Sequence, residues 1–157
     1  MSKSALAGTK TESFDSAFEA ESKAIPLCPV IDGAKDYFVE RDGVRFAGMH
    51  LLVELWEAEG LDDPKVIEDI LCRAAEAAEA TVLHSHMHHF SPYGGVSGVI
   101  VLAESHISIH TWPERAFAAI DIFMCGTCDP HKALPLISGY FKPGDLQLSE
   151  HRRGVIR

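Results

Sequence analysis

Between Thr81 and Cys125 the chain passes through four strand-like segments, TVLHSHMHHF, GVSGVIVLA, HISIHTW and FAAIDIFMC. Only turns such as SPYGG and PER separate them. A parallel pair needs a crossover of about a dozen residues or more, so these gaps dictate antiparallel neighbours. In HISIHTW, Ile107 and Ile109 alternate with His106, Ser108 and His110. One face of that strand is therefore apolar, and the other carries reactive side chains.

The flanking segments supply the second layer. MHLLVELW alternates as a strand, and DDPKVIEDILCRAAEAAEA reads as a helix. Asp63 can cap that helix, Pro64 suits its first turn, and Val66, Ile67, Ile70, Leu71, Ala74 and Ala78 recur at helical spacing. DPHKALPLISGYF begins a second helix at Asp129, with Pro135 and Gly139 weakening its later half. DLQLSEHR closes the chain as a strand.

The order β-α-β-β-β-β-α-β predicts an α+β fold, a two-layer sandwich with a mainly antiparallel sheet and two helices on one face. The other face is left half-apolar, a place for a partner subunit. Residues 1–45 read as a polar, Ser-rich tail followed by an extended arm, and residues 46–157 as the folded domain.

A net charge of −9 with no basic stripe speaks against nucleic acid. No apolar run is long enough for a membrane helix, and the N-terminus lacks a secretory pattern, so a cytoplasmic location is expected. Cys125 and Cys128 form C-x-x-C, a spacing shared by redox motifs and half zinc sites. No second ligand pair follows at finger-like spacing, so they read as separate thiols. His84, His86 and His88 alternate onto one strand face; they read as polar lining rather than as metal ligands, and no metal is expected.

Glu104-Ser105 sits at a tight junction between two strands. A serine there can attack the preceding carbonyl and exchange the peptide for an ester, given strain, an oxyanion donor and a nearby acid or base. β-Elimination of the ester would leave a pyruvoyl group at a new N-terminus, a ketone able to form a Schiff base with an amine.

The segment GVSGVIVLAESHISIHTWPE, followed by FAAIDIFMCG, resembles the bacterial and archaeal short-chain S-adenosylmethionine decarboxylases. The likeness runs from about Gly48 to Gly154. These are self-processing pyruvoyl enzymes of spermidine synthesis. The resemblance implies cleavage between Glu104 and Ser105 into a β chain, 1–104, and an α chain, 105–157, with Ser105 becoming the pyruvoyl cofactor. It implies that Ser97 and His110 assist processing, His110 by proton transfer, and that Cys125 protonates the product carbanion.

Glu114 would hold the ribose hydroxyls of S-adenosylmethionine, and Phe90 would stack on adenine. The family fold dimerises sheet to sheet into a four-layer assembly, so a homodimer of processed protomers is expected. SPYGGVSG has two glycines where the family usually has one, Met124 stands where threonine is common, and Arg115 where an aromatic is frequent. Two other readings remain open at this point. One is a related pyruvoyl decarboxylase of ornithine or arginine; the other is an unprocessed metal-binding or regulatory module.

Overall fold

The computed structural model describes residues 37–156. A short hairpin comes first, β1 (Val39–Arg41) and β2 (Val44–Phe46). The elements β3 (Gly48–Trp56), α1 (Pro64–Ala77), β4 (Val82–His89), β5 (Val96–Leu102), β6 (Ser105–Trp112), β7 (Phe117–Cys125), α2 (Leu134–Phe141) and β8 (Asp145–Arg153) follow. The six long strands form one sheet in the order β4-β5-β6-β7-β3-β8, and every pair is antiparallel. This is the expected α+β sandwich.

Alternation decides which face is covered. Leu51, Val53 and Leu55 of β3, Ile107 and Ile109 of β6, and Ile120 and Ile122 of β7 are all essentially inaccessible. They pack with Ile67, Leu71 and Ala74 of α1 and with Ile137 and Phe141 of α2 in a single core. Burying each such aliphatic side chain is worth roughly 1.5–3 kcal/mol, and a one-residue slip in register would turn the set outward. The opposite face has no helix on it among the described residues. It presents Leu52, Trp56, Val101 and Trp112, each more than a third exposed.

The helix ends follow from local chemistry. The Asp63 carboxylate accepts from the amides of Lys65 at 3.0 Å and Val66 at 3.2 Å, relieving two unpaired donors of the first turn. At the other end Glu79 turns left-handed, φ 65°, while Ala80 N–H bonds to Ala75 C=O at 3.0 Å.

Two local expectations change. The segment expected to be an irregular arm contains the β1–β2 hairpin, whose Asp42-Gly43 turn has φ 55° and 72°. An Asp-Gly pair favours a left-handed two-residue turn, a signal outweighed by the irregular look of a segment with two prolines and two glycines. The second helix is divided: Pro130–Ala133 is a tight 3₁₀ turn, and α2 starts at Leu134. Pro135 falls in the first turn of α2, where its missing N–H costs nothing, so it starts the helix instead of breaking it. The expected tail, residues 1–25, lies outside the described residues.

Candidate active site

A two-residue turn, Ala103-Glu104, joins β5 to β6, and Ser105 is the first residue of the new strand, paired with Leu102. Glu104 is left-handed, φ 69°, a conformation that costs a side-chain-bearing residue about 1–2 kcal/mol. The backbone strain that ester formation requires is therefore present beside the Glu104–Ser105 bond. Ser105 points to the covered face and is 8% exposed. Its Oγ accepts a hydrogen bond of 3.0 Å from the backbone N–H of Cys125, the last residue of β7.

The Cys125 thiol is pushed above its ordinary pKa, first by burial and then by the neighbouring charge of Glu104, partly offset by a hydrogen bond to Ser105. A thiol so placed stays protonated at neutral pH and can serve as an acid. Cys125, Cys128 and Cys72 are all free thiols.

A second cluster occupies the far end of β6. Ser97 of β5 lies directly opposite His110, and Ser97 Oγ and His110 Nδ1 share a 2.7 Å hydrogen bond on the uncovered face. When the hydroxyl donates to Nδ1, the other ring nitrogen carries the proton. Beside this pair opens a cleft of about 350 Å³, lined by Phe90, Tyr93, Ser97, His110, Trp112 and Glu114 together with Gly95 and Thr111.

Backbone bonds shape that cleft. Phe90 N–H donates to Gly95 C=O at 2.7 Å, and Gly94 N–H donates to Phe90 C=O at 2.8 Å. Both glycines of SPYGG have a physical reason: Gly94 has φ 76°, and a Cβ on Gly95 would meet Thr111 C=O at 2.9 Å. The buried Thr111 hydroxyl donates to Leu61 C=O and accepts from Val96 N–H, both at 2.7 Å, locking three segments together behind the cleft.

The structure thus joins the sequence-derived residues into two groups and holds the groups apart. Glu104, Ser105 and Cys125 meet at one end of β6; Ser97, His110, Glu114 and Phe90 meet at the other. Five residues of strand separate Ser105 from His110, about 16 Å at the usual rise of roughly 3.3 Å per residue. Proximity in sequence had suggested proximity in space, but an extended strand converts it into distance.

His84, His86 and His88 share the uncovered face of β4, as their alternation implied. Among the described residues, no three His, Cys, Asp or Glu side chains converge in a way that could hold a metal ion. His106 joins a group at the middle of the uncovered face, its ring 6.3 Å from His50 and 5.7 Å from Phe123. Arg153 donates to His50 Nδ1 at 3.0 Å, and Ser108 donates to Asp121 at 3.1 Å in the same region. Tyr93, Thr111 and Trp112 were missed as cleft residues. The last two stand inside HTWPE, between residues that sequence reasoning had singled out.

Fold and site together define a class: a two-layer α+β enzyme with a strained Glu–Ser turn and a cleft on the uncovered side of its sheet. The family model described as S-adenosylmethionine decarboxylase matches residues 49–154. A protein of Methanococcus maripaludis named S-adenosylmethionine decarboxylase proenzyme is 46% identical over 112 residues, 69% of this chain and 91% of that one. One of the same name from Thermomicrobium roseum is 39% identical over 110 residues, covering 69% and 95%.

The crystal structure of the adenosylmethionine decarboxylase of Aquifex aeolicus superposes with a TM-score of 0.65 at 33% identity, covering 71% of this chain and 94% of that one. The chain belongs to the S-adenosylmethionine decarboxylase family. Among the described residues no helix is long and apolar enough to cross a membrane.

Proposed function

We propose that this chain is a proenzyme that cuts itself between Glu104 and Ser105 and then decarboxylates S-adenosylmethionine, yielding the aminopropyl donor for spermidine. The observation that carries the reading is the Glu104–Ser105 turn itself, left-handed at Glu104 and with Ser105 Oγ held by the Cys125 amide. Ser105 Oγ attacks the Glu104 carbonyl and the peptide becomes an ester; loss of the Ser105 α-proton expels the Glu104 carboxylate as the new C-terminus and leaves dehydroalanine, which tautomerises to an imine that water hydrolyses to the pyruvoyl ketone with release of ammonia. The pyruvoyl group so generated supplies a ketone for Schiff-base formation and an electron sink for the departing carboxylate.

The residues around Ser105 fit that group. Cys125 lies against it with a thiol held protonated, which suits return of a proton to the substrate carbon after CO₂ leaves. In the cleft at the other end of β6, Phe90 offers a flat apolar surface for a purine, and Glu114 a carboxylate that accepts from two hydroxyls at once.

His110 and Ser97 of the same chain are too far from Ser105 to move its protons. A second copy, stacked on the uncovered face with its strands running the opposite way, would bring its own Ser97–His110 pair to the backbone of the Glu104–Ser105 turn, from the side opposite Ser105 Oγ. The exposed Leu52, Trp56, Val101 and Trp112 would be buried in that contact. We therefore assign the working unit as a homodimer with two composite sites, in the cytoplasm and without nucleic acid or membrane partners.

Intact mass under denaturing conditions tests the first step. Two chains of 104 and 53 residues (157 − 104 = 53) are expected, the second lighter by one ammonia than a chain beginning with serine. A chain that stays whole on long incubation would overturn the proposal and favour an unprocessed module. Release of CO₂ from S-adenosylmethionine, ornithine and arginine, measured side by side, then tests the substrate; only the first is expected to react. Turnover is expected to survive a chelator.

A further inference from the structure

Behind two of the cleft's lining residues, Phe90 and Ser97, stands a histidine that this mechanism does not use. His88 stands on β4, two residues before Phe90 and directly opposite Ser97. Its ring meets that of Phe90 edge to face, centroids 4.5 Å apart and planes at 71°. Phe90 is 48% exposed, and a half-exposed phenyl ring ordinarily samples several rotamers. Here its backbone is pinned by the bonds to Gly94 and Gly95, and its ring meets His88.

We infer that His88 is a positioning residue for substrate selection: it braces Phe90 so that a flat aromatic base finds a stacking surface already ordered. The inference rests on the assignment of this cleft to a nucleoside substrate and adds to it a residue acting through Phe90. Ordering a side chain before binding removes that cost from the association step. An edge-to-face aromatic contact has the strength to enforce the order. His88 touches neither Ser105 nor Cys125, so its effect falls on binding and not on chemistry.

The test compares the processed wild-type enzyme with His88→Ala and His88→Phe, the latter keeping an edge-to-face partner for Phe90. In H88A the KM for S-adenosylmethionine should rise about three- to tenfold with kcat unchanged. The dissociation constant of 5′-methylthioadenosine, a nucleoside thioether without the amino acid, should rise by the same factor. H88F should restore both, and all three proteins should process at one rate. Wild-type turnover with an unchanged KM in H88A overturns the inference alone. So does a loss that H88F does not rescue and that slows processing too, since His88 would then act through Ser97. If the wild type neither turns over S-adenosylmethionine nor binds the nucleoside, the reading of the cleft fails as well.

Discussion

Glu104→Gly is the most informative change in the molecule, because it removes strain at the proposed cleavage bond without touching Ser105. Glu104 sits at φ 69°, where glycine is at ease and a glutamate is not. Relieving it should stabilise the uncut precursor by about 1 kcal/mol. In a Ser105→Ala background, where no cut can occur, that gain should appear as a Tm higher by about 3–5 °C.

If the strain is released as the Glu104 carbonyl is attacked, the same 1 kcal/mol is added to the barrier. Cleavage should then slow by about fivefold. The assay follows disappearance of newly synthesised precursor by gel and by mass. Glu104→Gln is the control, since it keeps the backbone demand and removes only the charge; its cleavage rate should match the wild type. A raised Tm with an unchanged cleavage rate in E104G would refute the use of strain. An unchanged Tm would refute the strain itself.

Three further outcomes follow from the geometry. Burial and Glu104 hold the Cys125 thiol protonated, so its alkylation by iodoacetamide at pH 7.5 should lag behind a free cysteine and accelerate only at higher pH; Glu104→Gln should shift that rise downward. Burial alone would lower the pKa of His131, but hydrogen bonds to Asp129 and Glu150, at 3.0 and 2.8 Å, raise it above the ordinary value. Its stabilisation is then complete below the unfolded pKa of about 6.5 and fades as pH rises through the folded one, so the urea midpoint should fall over that interval and His131→Asn should flatten the fall. Thr111→Val strands the buried Val96 N–H and weakens the hold on Leu61, so unfolding in urea should show a loss of about 2–3 kcal/mol and cleft binding should weaken with it.

Most of the sheet could be read from the chain because its signals are local. Alternation in Ser105–Trp112 and Phe117–Cys125 told which side chains face the core, and the short turns left no pairing but antiparallel. The cap at Asp63 and the tight turn before Ser105 were legible for the same reason. The β1–β2 hairpin was passed over because Asp42-Gly43 followed a proline-rich stretch, and the strength of a turn signal depends on whether the strands beside it find partners. The 3₁₀ turn before α2 was equally hidden, since Pro130 and Pro135 each permit a helix start and only packing chose Leu134.

The site divides along the same line. By itself the sequence determined which chemistry is available: a Glu–Ser bond in a tight turn, a cysteine at the end of the next strand, and a Ser–His pair on neighbouring strands. Tertiary structure decided who meets whom. Antiparallel pairing of β6 with β7 carries Cys125, twenty residues beyond Ser105, to within a hydrogen bond of it. His110, only five residues away, is carried off along the strand, because an extended backbone advances by about 3.3 Å with every residue.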